Sequence, residues 1–128
     1  MRIPRTPRSL LRLLLNGGLV AFFLAGGIVN IVPPDAVRSD YERWGYPDWF
    51  HYVTGGIEIL SAGLLALPRS RELGRATGAT VMLAALGTLL LHADYAHAAG
   101  PAIILTALAA SRHLDGKALE ARWEGRVF

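Results

Sequence analysis

Trp49-Phe-His-Tyr-Val-Thr-Gly-Gly-Ile-Glu-Ile-Leu-Ser-Ala-Gly-Leu-Leu-Ala-Leu67 is a 19-residue run in the middle of the chain. It is nearly all apolar and contains no proline. Its length matches the ~20 residues that cross a bilayer core of about 30 Å. One carboxylate, Glu58, sits near its middle. A carboxylate at that depth costs on the order of 2.5–3.5 kcal/mol on insertion scales, so it must turn from lipid toward a partner, a proton or water. His51, Gly55, Glu58 and Ala62 recur at helical spacing, which predicts one small and polar face turned into a bundle. Asp48 is a candidate cap for this helix, which is expected over 48–67 and is stopped by Pro68.

Working outward, Leu10 to Val32 reads as a first membrane helix ended by Pro33-Pro34. It is longer than the roughly 7–15 residues of a signal-peptide core. Gly17, Gly18, Ala21, Ala25, Gly26 and Gly27 leave one side nearly bare, which permits close helix approach in lipid. Residues 33–48 form a polar loop with Trp44 and Tyr46, and Trp49 follows. These suit an interfacial aromatic belt and a short amphipathic turn on the membrane surface. A third helix is expected over 73–93, with Gly74 and Gly78 as a GxxxG pair and Thr77, Thr80, Ala84, Gly87 and Leu91 continuing a small face. A fourth is expected over 97–113, leaving a polar tail over 114–128.

Of the 128 residues, 52% are hydrophobic and 18% charged, against about 25% charged in soluble domains. The net charge of +3 is carried by short arginine clusters between apolar runs, which argues for topology signals and headgroup contact rather than nucleic-acid binding. The absence of cysteine excludes thiol redox chemistry, disulfides and thiolate metal sites. Arg2, Arg5, Arg8 and Arg12 precede or open the first helix, and Arg69, Arg71 and Arg75 fill the second connection. Arg112, Lys117, Arg122 and Arg126 follow the last, whereas the third connection has no Lys or Arg. The positive-inside rule then gives an all-α, single-domain bundle of four transmembrane helices, multi-pass, with both termini cytoplasmic.

That topology gathers Asn30, Tyr46, Trp49, His51, His92 and Asp94 at the outer helix ends, above Glu58. The expectation is a polar pocket opening outward with Glu58 at its floor, about 10 Å below His51 at 1.5 Å per residue. Two secondary readings are a metal ion held by His92, Asp94 and His97, and a haem between His51 and His92.

Gly26-Gly27-Ile-Val-Asn30, Trp44-Gly45-Tyr46-Pro47-Asp-Trp49-Phe50 and Gly55-Gly56-Ile57-Glu58-Ile-Leu-Ser-Ala-Gly63 together resemble the DoxX-like family of small bacterial four-helix membrane proteins. The resemblance covers about residues 15–112. It implies a protein of the bacterial cytoplasmic membrane, with some relatives serving as membrane subunits of quinone-linked oxidoreductases and others assisting redox partners. Asn30 stands where relatives often carry lysine, which removes a charge partner from Glu58.

The function expected from residues and resemblance is an accessory subunit rather than an enzyme on its own. It would bind a quinone-like lipophile or lipid and support a redox partner protein. The alternative is a proton-coupled transporter working as a homodimer through Glu58. A purely structural reading has the Gly74/Gly78 face binding another protein.

Overall fold

The structure, a computed structural model, describes residues 6–127. Within them the chain forms α1 (Pro7–Ile31), α2 (Asp35–Arg43), α3 (Phe50–Ala66), α4 (Arg71–Leu91) and α5 (Tyr95–Val127), and no strand. The four long helices close a cycle of contacts: α1 on α3, α3 on α4, α4 on α5, and α5 back on α1. By length and composition α1 and α4 are long and apolar enough to cross a membrane.

Local chemistry explains the ends. Thr6 caps α1, its hydroxyl accepting from the Ser9 N–H at 3.1 Å, and Pro7 takes the first turn, where no N–H is needed. α2 ends in a Schellman turn, with Tyr46 N–H bonded to Tyr41 O and Gly45 N–H to Glu42 O. Gly45 supplies the positive φ of 79° that this turn requires. α4 closes in the same way, Asp94 N–H to Leu89 O and Ala93 N–H to Leu90 O. There the left-handed position is held by an alanine, Ala93, at φ 54°.

The elements differ from expectation in four places. Asp48 does not cap α3: Trp49 is the cap residue and makes no side-chain cap bond. Residues 35–43, read as loop, form a helix. α5 begins at Tyr95, with Pro101 inside it, and runs through the expected polar tail to Val127. On α4 the buried stripe is Gly74, Gly78, Val81, Met82 and Leu89, whereas Thr80, Ala84 and Leu91 are exposed.

The core is Leu19, Phe23, Ala62, Leu65, Val81, Met82 and Leu108. Glycines decide how tightly it closes. A Cβ at Gly55 would stand 2.7 Å from Gly27 O, so α1 and α3 cross backbone to backbone. A Cβ at Gly74 would meet Leu65 N at 2.7 Å, and one at Gly78 would enter the Phe23 ring. The GxxxG pair therefore serves packing inside this chain rather than a face for another protein.

Outside this core the four long helices carry exposed large apolar side chains. Leu13, Leu14, Phe22 and Ile28 lie on α1, Val53 and Leu60 on α3, Leu83 and Leu90 on α4, and Ile103 on α5.

Candidate functional site

α3 presents His51, Gly55, Glu58, Ser61, Ala62 and Leu65 to the interior. Glu58 is 5% exposed, so its carboxyl is lodged among helices. Gly26 on α1 makes the space: a Cβ there would stand 3.3 Å from Glu58 Oε2. Asn30, one turn further along α1, donates from Nδ2 to Glu58 Oε2 at 2.8 Å. The same amide accepts the Tyr41 hydroxyl on Oδ1 at 2.8 Å. His51 Nδ1 lies 2.6 Å from the Asn30 backbone oxygen. A carbonyl only accepts, so Nδ1 carries a proton and is the donor.

α2 lies over this end. Val37, Tyr41 and Trp44 recur at i, i+4 and i+7 and are its half-buried side. The Tyr41 ring packs edge-on to Trp44 and Tyr46, and Tyr46 stacks on Phe50 with centroids 4.2 Å apart. Burial pushes the Tyr41 phenol above its ordinary value, against the opposing Thr54 hydroxyl. The ring therefore stays protonated and able to donate to Asn30. A cavity of about 330 Å³ opens here, walled by Tyr41, Tyr46 and His51, with Arg38, Glu42, Pro47, Asp48 and Tyr52 exposed on its lining.

The expected pocket residues thus separate. Tyr46 and His51 line the cavity, and Asn30 and Glu58 stand behind Tyr41 and His51. Trp49 is 60% exposed and is not part of the lining. His92 is bonded through Nδ1 to its own helix at Thr88 O and packs near Trp44. Asp94 pairs with His97, Nδ1 to Oδ1 at 2.8 Å, which holds the carboxyl below the usual carboxylate range. Among the described residues no three His, Cys, Asp or Glu side chains converge to hold a metal ion, so His92, Asp94 and His97 do not form the expected trio. Tyr41 is the member that the sequence reading missed; its helical spacing with Val37 and Trp44 was the available signal.

A second polar cluster lies at the opposite helix ends. Asp115 on α5 accepts from Arg12 at 2.6 Å, from Arg71 at 3.2 Å, and from Arg75. Asn16 adds a bond at 3.3 Å. Arg75 also holds Glu72 and donates to Ser111 Oγ, and Arg71 donates to Leu65 O at the end of α3. Burial opposes ionisation of Asp115, but the three guanidinium groups outweigh it and hold the carboxyl below its ordinary value. This clasp ties the ends of α1, α3, α4 and α5.

A family model described as the DoxX-like family matches residues 14–111, most of the chain, and bears out the resemblance read from the residues. No curated protein and no solved structure matches the chain.

Proposed function

The chain belongs to the DoxX-like family, and we propose that it is an accessory protein of the bacterial cytoplasmic membrane that binds the head of a small quinone-like lipophile in support of a redox partner. The observation that carries this reading is the hydrogen-bond chain from the cavity wall at Tyr41, through Asn30, to the carboxyl of Glu58. An ionisable group inside a membrane bundle marks function by default. Here it is joined to a cavity at the low end of the ~300–1,000 Å³ of small-molecule sites, large enough for a ring but not for a long tail.

All four long helices would cross the membrane as one domain, with both termini and the α3–α4 turn on the cytoplasmic side. Their exposed apolar surfaces support this. So does arginine placement, since Arg69 lies in the α3–α4 connection and residues 92–94 include no Lys or Arg. α2 would lie on the outer surface over the cavity. Glu58 is enclosed between α1 and α3 of one chain, a placement that does not call for the second copy a dimeric transporter would use.

The test is calorimetric titration of a short-chain quinone and its hydroquinone into the protein held in lipid nanodiscs. We expect at least one form to bind, and Tyr41→Ala with His51→Ala to weaken it tenfold or more. If neither form binds above that double variant, the reading falls.

A further inference from the structure

The clasp at Asp115 gathers more positive charge than it neutralises. Four guanidinium groups, on Arg12, Arg71, Arg75 and Arg112, meet two carboxylates, on Glu72 and Asp115. Both carboxylates are already engaged. Asp115 takes Arg12 Nε and Asn16 Nδ2 on Oδ1, and Arg71 Nη1 and Arg75 Nη2 on Oδ2. Those bonds fill the lone-pair sites of a carboxylate. Glu72 is shared between Arg75 and Arg112.

The donors are not all used. Arg75 is buried and turns its nitrogens to Ser111, Glu72 and Asp115. Arg71 gives Nε to Leu65 O and Nη1 to Asp115, which leaves Nη2 without a partner among the described residues. Arg12 is held through Nε alone and its side chain is 39% exposed, so both its Nη groups are free among the described residues. Arg12 and Arg71 are tied to the two oxygens of one carboxyl, so their heads are neighbours. Arg8, one turn earlier on α1, is exposed and adds a further cation. Planar guanidinium groups match the oxygens of a phosphate. Apolar surface adjoins them: Leu11 and Leu14, beside Arg12 on α1, and Leu73, between Arg71 and Arg75 on α4, are all exposed. Acyl chains would cover that surface, and a free phosphate would not.

We propose that this cluster binds the phosphate of an anionic phospholipid, with Arg12 and Arg71 as its contacts; the assignment rests on the membrane crossing given above, which places it in the cytoplasmic leaflet. A zwitterionic lipid brings its own ammonium group toward the unpaired cations. An anionic lipid leaves its phosphate charge to neutralise them.

The experiment is native mass spectrometry of the intact protein in a mild uncharged detergent, titrated with short-chain phosphatidylglycerol, the matching phosphatidylcholine or inorganic phosphate. Phosphatidylglycerol should bind with a Kd about tenfold below the other two. Arg12→Gln should narrow that preference. Arg43→Gln, which removes the same charge from the opposite helix ends, should leave it unchanged. Asp115→Asn should widen it, because a competing carboxylate is gone, even as the same change loosens the fold. Loss of the preference in Asp115→Asn would mark a cluster that only holds helices together, and overturns the proposal. So does equal binding of the two lipids, or an equal effect of Arg12→Gln and Arg43→Gln. Inorganic phosphate binding as tightly as phosphatidylglycerol overturns it in favour of a soluble anion. In each of these cases the quinone-like reading, tested with its own ligands, stands. Failure of the topology would show in side-specific labelling and not in this titration.

Discussion

At the residue scale, glycines at the α1–α3 crossing are the sharpest determinants of packing. A Cβ at Gly55 would stand 2.7 Å from Gly27 O and 3.0 Å from the Asn30 Cβ, whereas one at Gly56 meets no atom within 4 Å. Gly55→Ala must therefore push two backbones apart, at a cost of about 1–3 kcal/mol. Gly56→Ala meets only open space and gains roughly 0.5–1 kcal/mol of helix propensity. Thermal melts of the two variants in mild detergent should shift in opposite directions, and shifts of the same sign would contradict the close crossing. The displacement at Gly55 also moves Asn30, so packing and the Glu58–Asn30–Tyr41 chain depend on the same contact. The polar face of α3 was legible in the sequence because helical spacing alone puts His51, Gly55, Glu58 and Ala62 on one side, and all four are buried.

At the scale of elements, α5 is held by the clasp at Asp115. Its partners Arg12, Arg71 and Arg75 lie 103, 44 and 40 residues away in the chain, so no local pattern announces them. In the sequence the arginines read as topology signals and Asp115 as the start of a tail. Removing the carboxylate leaves three guanidinium groups facing one another. Asp115→Asn should lower stability at neutral pH by about 1–2 kcal/mol, the modest figure reflecting the solvent that reaches Arg12. Linkage gives the pH dependence. The folded-state value of Asp115 lies below its unfolded value, so the clasp contributes fully above the ordinary carboxylate range. That contribution is lost as pH falls through the folded value. Melts taken from pH 7 to about pH 3 should show the wild type and Asp115→Asn converging only in acid. A constant gap across that range would argue against the ionised clasp.

At the scale of the whole molecule, two long helices qualify as membrane spans on length and composition, and four line up in one contact cycle. The proposed topology is open to a direct check because the native chain has no cysteine. Single substitutions Ser39→Cys and Ala93→Cys should react with a membrane-impermeant maleimide from outside intact cells. Ser70→Cys should react only after the membrane is opened. Labelling of position 70 from outside, or of 93 from inside alone, would refute a crossing by all four helices.

Composition, helical periodicity and the proline stops were enough to determine an all-α chain with its principal helices, the inward face of α3 and the family, because these depend on neighbours within a few turns. Only the tertiary structure decided which polar groups meet. It brought Tyr41 to Asn30 and Asn30 to Glu58, left Trp49, His92 and Asp94 off the cavity lining, and gathered three arginines on Asp115. Hydrogen bonds and ion pairs form between side chains whose separation is set by how the helices pack and turn, and that geometry follows from contacts such as Gly27 on Gly55 and Phe23 on Gly78, not from the order of residues along any single helix.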